Sequence, residues 1–351
     1  MATQIRHILV AIGDVRRAPR SELRKAGALA RAARATVELF HAIEEPDPGR
    51  SFPETASRAE VDLHRSAIVE KYRRRLERFA RDASLRGVTV RSTVVWDYPP
   101  HAAVIRRALA ARSGLVIAAA RGHRFGARLL LRNTDWELIR HCPVPLLLVK
   151  SPRTYRRPLI LAAVDPRHTH ARPADLDARL SQTGGEIARL LHGSLQVFHA
   201  YMPLVTVQPM VAAAAPLVMM PPAAVEAPTQ QVERVIAQLA DKAGIARARC
   251  HIRMGEVADQ LSAFARRSGT AIVVMGAVSR SAITRLFIGN AAERTLDRLT
   301  CDILIVKPRG FRSGIERGRA MAATETRRAR ARLRRPRGAG VVQRAVPPPF
   351  L

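Results

Sequence analysis

Cysteine is scarce in this 351-residue chain: Cys142, Cys250 and Cys301 share no close spacing and cannot all pair. Neither a disulfide framework nor a zinc site is indicated, and a reducing compartment fits. Long apolar runs are missing as well. The longest, Val211 to Val225, is shorter than the roughly 20 residues of a membrane-crossing helix and is broken by Pro216, Pro221 and Pro222. The opening residues enter a strand-like run by Ile8 with no charged-then-apolar leader, so a cytoplasmic location is expected. No Gly-x-Ser-x-Gly elbow, Walker loop or His-Glu-x-x-His occurs, and the chain is expected not to be a turnover enzyme. Negative charge is short too, with 29 Asp and Glu against 59 Lys and Arg and a net charge of +30. Residues 309–351, with 12 Arg and 2 Glu, supply +10 of this, so the rest of the chain is basic in its own right. Such a balance favours anionic partners through long-range attraction and says nothing about fold.

What is present is a repeat. Leu115 to Lys150 lies without a gap over Ile272 to Lys307, 157 residues later, matching Val116 to Val273, Arg128 to Arg285, Leu129 to Leu286 and Asn133 to Asn290. Earlier in each half, Glu38-Leu-Phe-His41-Ala returns as Gln196-Val-Phe-His199-Ala. One ancestral domain has been duplicated and fused. We expect a first domain over 1–151, a second over 156–308, and an Arg-rich, disordered tail over 309–351. At 47% hydrophobic residues, the two domains can each bury a core.

Within each half, short β-branched runs alternate with helical periodicity. Strands are predicted over 7–12, 36–42, 88–96, 115–120 and 146–150, and helices over 22–34, 55–84, 100–111 and 134–140. The second half repeats the order, with strands over 159–164, 194–200, 249–254, 271–276 and 303–307 and helices over 174–191, 230–243, 257–267 and 291–299. Unbroken apolar strands such as Leu115-Val-Ile-Ala and Ile272-Val-Val-Met imply that both sheet faces are covered. The fold class is therefore α/β: two tandem doubly wound, five-stranded parallel-sheet domains of Rossmann-like type. Their final strands, Leu146-Leu-Leu-Val149 and Ile303-Leu-Ile-Val306, are apolar edges expected to pair about an internal pseudo-twofold.

Two segments break the symmetry. Between Tyr201 and Thr229 the second half carries a Pro, Ala, Val and Met-rich stretch that its prolines are expected to keep irregular. Beyond Pro308 the chain is too poor in large apolar residues to build a core, though 315–335 could form a solvated helix.

The fourth strand of the second half runs into Gly276-Ala-Val-Ser279, followed after nine residues by Gly289 and Asn290 at the start of the last helix. Glycine lets backbone approach phosphate oxygens, and a helix start offers free N–H groups and partial positive charge. Here the sequence resembles the universal stress protein family, whose phosphate loop reads Gly, two residues, Gly, nine residues, Gly and Ser or Thr. The resemblance covers residues 7 to about 308 in two copies and points to the tandem members of the family, as do Asn133-Thr-Asp-Trp136, Leu286 to Glu293 and Val94-Val-Trp-Asp. The resemblance implies a stress-response regulatory protein that binds ATP in its second domain. By the same resemblance Asp165, after the first strand of that half, would accept from ribose or base. Gly276, Ser279, Arg280 and Gly289 would form the phosphate loop, with Asn290 and the Ala291 amide donating at the helix start. The pattern departs from the family at Ser279, in place of the middle glycine, and at Asn290, in place of the terminal hydroxyl. In the first half the aligned residues are Ala119, Gly122, Arg132 and Asn133, with Gly13 at the acidic position and Asp14 displaced by one. That loop is degenerate, and no nucleotide is expected there.

His41 and His199, at equivalent strand ends, are read as locally satisfied. His168 and His170 beside Asp165 lack a third ligand for a metal. Cys142 and Cys301 are offset by two in the repeat, against a shared catalytic thiol. The alternative to nucleotide binding is a nucleotide-free scaffold holding a lipid-like ligand or a protein partner under the 201–229 loop, whose Met-rich character suits adaptable apolar contacts. A third partner class is nucleic acid, held weakly and without sequence preference through the tail, where Arg327 to Arg337 place seven arginines in eleven residues.

Overall fold

The computed structural model describes residues 5–43, 57–120, 122–125, 128–131, 133–166, 175–202, 222–277 and 290–315. The first half runs β1 (His7–Ala11), α1 (Arg20–Ala33), β2 (Thr36–Ile43), α2 (Arg58–Ala80), β3 (Val90–Trp96), α3 (Pro100–Ala110) and β4 (Leu115–Ala119). A hairpin of β5 (Gly122–Phe125) and β6 (Arg128–Leu131) precedes α4 (Asn133–His141) and β7 (Leu146–Val149). The second half runs β8 (Leu159–Ala163), α5 (Leu176–Leu190), β9 (Ser194–Tyr201), α6 (Pro222–Ala243), β10 (Cys250–Met254), α7 (Val257–Arg267), β11 (Ile272–Gly276), α8 (Asn290–Arg298) and β12 (Asp302–Val306).

Ten strands make one sheet in the order β10-β9-β8-β11-β12-β7-β4-β1-β2-β3. Each half contributes five, parallel among themselves, with its first and fourth strands adjacent; this is the doubly wound order, reversing between those two strands. The halves meet where β7 and β12 pair antiparallel. Leu147 faces Leu304 there, and these are repeat-equivalent residues 157 positions apart, so the pseudo-twofold axis passes between them. Pairing the two apolar edges satisfies the N–H and C=O groups that each half alone would expose. Central strands are buried throughout, Ile8-Leu9-Val10 and Val273-Val274 at 0% exposure, as a sheet covered on both faces requires.

Local signals set the helix ends. Ser57 caps α2 reciprocally with Glu60, while Asp82 caps a separate 3₁₀ turn over Ala83–Leu85, so the helix expected to run to Ser84 stops at Ala80. Pro100 opens α3, and Arg34 closes α1 in the left-handed region. A correction concerns the stretch read as irregular to Thr229: α6 begins at Pro222, because a proline in the first turn gives up an N–H that has no helical partner anyway. The apolar residues at 203–221 lie outside the described residues.

Residues Met1–Arg312 form one compact unit and Ser313–Leu351 another, of which 313–315 are described. The run of seven arginines lies outside them. Among the described residues no helix is long and apolar enough to cross a membrane.

Candidate functional site

The carboxyl ends of β8 and β11 form the reversal point of the second half, and two of the residues singled out from sequence meet there. Asp165 stands two positions beyond the end of β8. The preceding amide, Val164 N–H, donates to the Phe198 carbonyl at 2.9 Å, extending the sheet to the base of the turn. The Asp165 amide itself donates to Asp177 Oδ1 at 3.1 Å, which ties the turn to the first turn of α5. Gly276 ends β11 on the neighbouring strand, two positions beyond the last pair of the register that runs from Ile272 with Ile160 to Val274 with Ala162. A Cβ at Gly276 would lie 2.8 Å from Leu176 Cδ2, so the glycine has a packing reason alongside the phosphate one. Its neighbour Ala277 is buried, and its carbonyl accepts from Lys307 Nζ, anchoring the root of the following loop to the residue after β12.

Ser279, Arg280 and Gly289 lie outside the described residues. Asn290 and Ala291 occupy the first turn of α8, the placement their proposed role requires. Salt bridges fix that helix against α7: Arg294 to Glu256 at 3.2 Å, and Arg298 to Asp259. Glu256 in turn caps α7, its side chain accepting from the Asp259 amide. His168 and His170 lie outside the described residues.

The first half builds something else at its reversal point. Where a degenerate loop was expected after β4, the chain folds into the β5–β6 hairpin, with Gly122 opposite Leu131 and Phe125 opposite Arg128. The hairpin lies alongside α8 of the second half. Asp14, displaced from the acidic position, accepts from the Arg16 amide at 2.9 Å in a local turn. Of the aligned residues, Ala119 ends β4, Gly122 opens β5 and Asn133 opens α4; Arg132 lies outside the described residues.

His41 and His199 do the same job in both halves. His41 Nδ1 donates to the Ile12 carbonyl at 2.7 Å and His199 Nδ1 to the Val164 carbonyl at 3.0 Å, each from a buried ring on the second strand to the residue just after the first. They brace the strand ends from beneath. Cys142 and Cys301 are buried, and burial pushes both thiols up to about 12, so neither offers a thiolate at neutral pH.

Among the described residues, one heavily bonded polar group was not legible in the sequence. Asp302, the first residue of β12, receives Lys25, Tyr155 and two backbone amides at the junction of the halves. No spacing rule links residues so far apart in the chain.

The family model described as the universal stress protein family matches residues 4–150 and 173–307, one copy per half. Universal stress protein E of Escherichia coli (strain K12) is 29% identical over 233 residues, covering 66% of this chain and 72% of that protein. A universal stress protein E homolog of Haemophilus influenzae is 23% identical over 265 residues, covering 72% and 81%. Among solved structures, a putative universal stress protein from Pseudomonas aeruginosa UCBPP-PA14 superposes with a TM-score of 0.64 at 23% identity, covering 87% of this chain and 94% of its own.

Proposed function

The chain belongs to the universal stress protein family, and from that premise we propose that it is a ligand-responsive regulatory protein of the stress response that holds ATP once per chain, in its second half. The observation that carries this reading is the adjacency of Asp165 and Gly276 at the carboxyl ends of β8 and β11, with α8 beginning at Asn290. Asp165 would accept a hydrogen bond from ribose or base. Gly276, Ser279, Arg280 and Gly289 would surround the phosphates, with the Asn290 side chain and the Ala291 amide donating at the positive end of α8. The hairpin that takes the corresponding stretch of the first half favours a single site. Occupancy would favour one arrangement of the loops, and so of the surface offered to a partner, with no turnover required.

Calorimetric titration with ATP tests the proposal. One site per chain is expected, abolished by Gly289→Trp and unchanged by Arg132→Ala; two equivalent sites, or none, would overturn it. A second reading, an apolar ligand or partner at the edge of the second half, is favoured by Met202 and Met254, which are 63% and 58% exposed at the ends of β9 and β10. An acyl compound co-purifying in place of ATP would select it. The arginines at 327–337 support a further, sequence-indifferent association with nucleic acid that truncation at Pro308 would remove.

A further inference from the structure

At the opposite end of the second half's sheet, below the amino ends of β8, β11 and β12, lies a cavity of about 560 Å³ bordered by the segment that joins the halves. Arg153, Arg156 and Arg157 of that segment line it together with Arg266 from the last turn of α7. The hydroxyls of Ser268 and Thr270, 2.8 Å apart, complete the polar wall. Among the described residues none of these four guanidinium groups makes a hydrogen bond or ion pair. A cation in the last turn of a helix suits the carbonyl end of the dipole, which accounts for Arg266. The other three belong to no helix, and that account does not reach them.

One carboxylate borders the cavity, Asp302, and it is already committed. Oδ2 faces Lys25 at 2.5 Å and accepts from Tyr155 Oη at 2.6 Å, while Oδ1 takes the amides of Lys150 and Ser151, each at 2.9 Å. The cavity therefore presents four guanidinium charges without a counter-charge of its own. A concave site lined by one sign of charge concentrates its field on an incoming anion, and guanidinium groups match phosphate oxygens in bidentate geometry. The aromatic ring in the lining, Tyr155, gives its hydroxyl to Asp302 and carries Lys25 Nζ 5.4 Å from its centroid, so it is engaged with the buried pair and not set out as a stacking platform.

We infer that this cavity is a second anion site, distinct from the carboxyl-end site, that takes an oligophosphate group by its phosphates alone. The volume falls in the range of small-molecule sites. The shared chemistry is a chain of two or three phosphates, whether free or carried by a nucleotide.

The probe is tripolyphosphate, titrated calorimetrically at low salt into the full chain carrying Gly289→Trp, with and without Arg153→Gln, Arg156→Gln and Arg157→Gln together. Binding weakened at least tenfold by the triple substitution and by raised salt is expected, with ATP binding no more than about threefold differently from tripolyphosphate. No binding, an affinity indifferent to the arginines, or ATP binding more than tenfold tighter would overturn the inference. Should the triple variant not fold, amide hydrogen exchange of the unmodified chain decides: tripolyphosphate should slow exchange at 151–157 and 266–270, and protection confined to other segments counts against the site.

Discussion

Lys25 Nζ lies 2.5 Å from Asp302 Oδ2, and both side chains are about 1% exposed. The pair joins α1 of the first half to the first residue of β12 in the second. Lys25 also donates to the Ser151 carbonyl, so the amine is held by the joining segment as well. Burial acts to lower the lysine pKa and the carboxylate acts to raise it, with burial prevailing. The repeat has no second copy of this arrangement: Pro145 occupies the position equivalent to Asp302, and Thr183 the position equivalent to Lys25. The sheet is symmetric about Leu147 and Leu304, while the polar tie across the halves is one-sided.

Removing one member of such a pair leaves an uncompensated buried charge, a change of about 3–5 kcal/mol. Asp302→Ala should lower the stability measured by urea unfolding by that amount. Lys25→Met combined with Asp302→Leu should cost clearly less than the sum of the two single changes. An Asp302→Ala penalty below about 1 kcal/mol would show that the pair contributes little.

Glu38 is the buried carboxylate of the first half. Burial acts to raise its pKa, but hydrogen bonds from His7, Thr93 and Arg107 outweigh that and hold it at about 2, against an ordinary 4.5. Because the folded value is the lower one, the stabilisation is complete above pH 4.5 and is lost as pH falls towards 2. The amount is on the order of 3 kcal/mol. Thermal unfolding followed from pH 5 to pH 2 should show a steep acid limb that Glu38→Gln flattens. Gln196 at the equivalent position of the second half, bonded to His251 at 2.8 Å, indicates that a glutamine fits the site sterically.

Most of the architecture was readable because it rests on local rules. Apolar runs of strand length, helical periodicity and the 157-residue repeat give ten strands in their observed order, and the apolar edges at 146–149 and 303–306 give their pairing. What was not readable rests on tertiary choice. Gly122 to Leu131 carries no strand alternation, and the Gly126-Ala127 pair between its strands is too short a signal to mark a hairpin without flanking β-branched residues. Pro222 reads as a helix breaker in sequence and serves as a helix start in the fold. Of the candidate site, Asp165, Gly276, Asn290 and Ala291 were named through the resemblance to the family's loop pattern; the arginine-lined cavity was not legible, since Arg153 and Arg266 are brought together only by the packing of α7 beside the joining segment.

Lys150 and Lys307, repeat-equivalent residues, are both held low by burial, at about 8 and about 7. A lysine whose folded value is depressed stays protonated longer in the unfolded chain, so stability rises with pH between the folded value and 10.5. Each lysine contributes about 1.4 kcal/mol per pH unit across its window. Urea unfolding at pH 7, 8 and 9 should show this rise. Lys307→Met should remove the slope between pH 7 and 8 and roughly halve it above pH 8. A slope the substitution leaves unaltered would mean that Lys307 stays charged in the folded protein.

Gly27 in α1 and Gly184 in α5 are both buried glycines inside a helix of their own half, yet their surroundings differ in kind. A Cβ on Gly27 would fall 2.0 Å from the Ser84 carbonyl oxygen, which is backbone in the 3₁₀ turn that crosses α1 there. That oxygen also accepts from Arg31 Nη1 at 2.7 Å, so moving it disturbs a second contact. A Cβ on Gly184 would meet Leu195 Cδ1 at 2.9 Å, the far end of a side chain that can turn aside. Alanine gains up to about 1 kcal/mol over glycine inside a helix. At Gly184 that gain should offset the small shift of Leu195 and leave stability within about 0.5 kcal/mol of the parent. At Gly27 the backbone must move, and overpacking of this kind costs about 1–3 kcal/mol. Urea unfolding of the two single variants reads the contrast directly; equal effects at both positions would mean that the approach of Ser84 to α1 relaxes as freely as a leucine side chain.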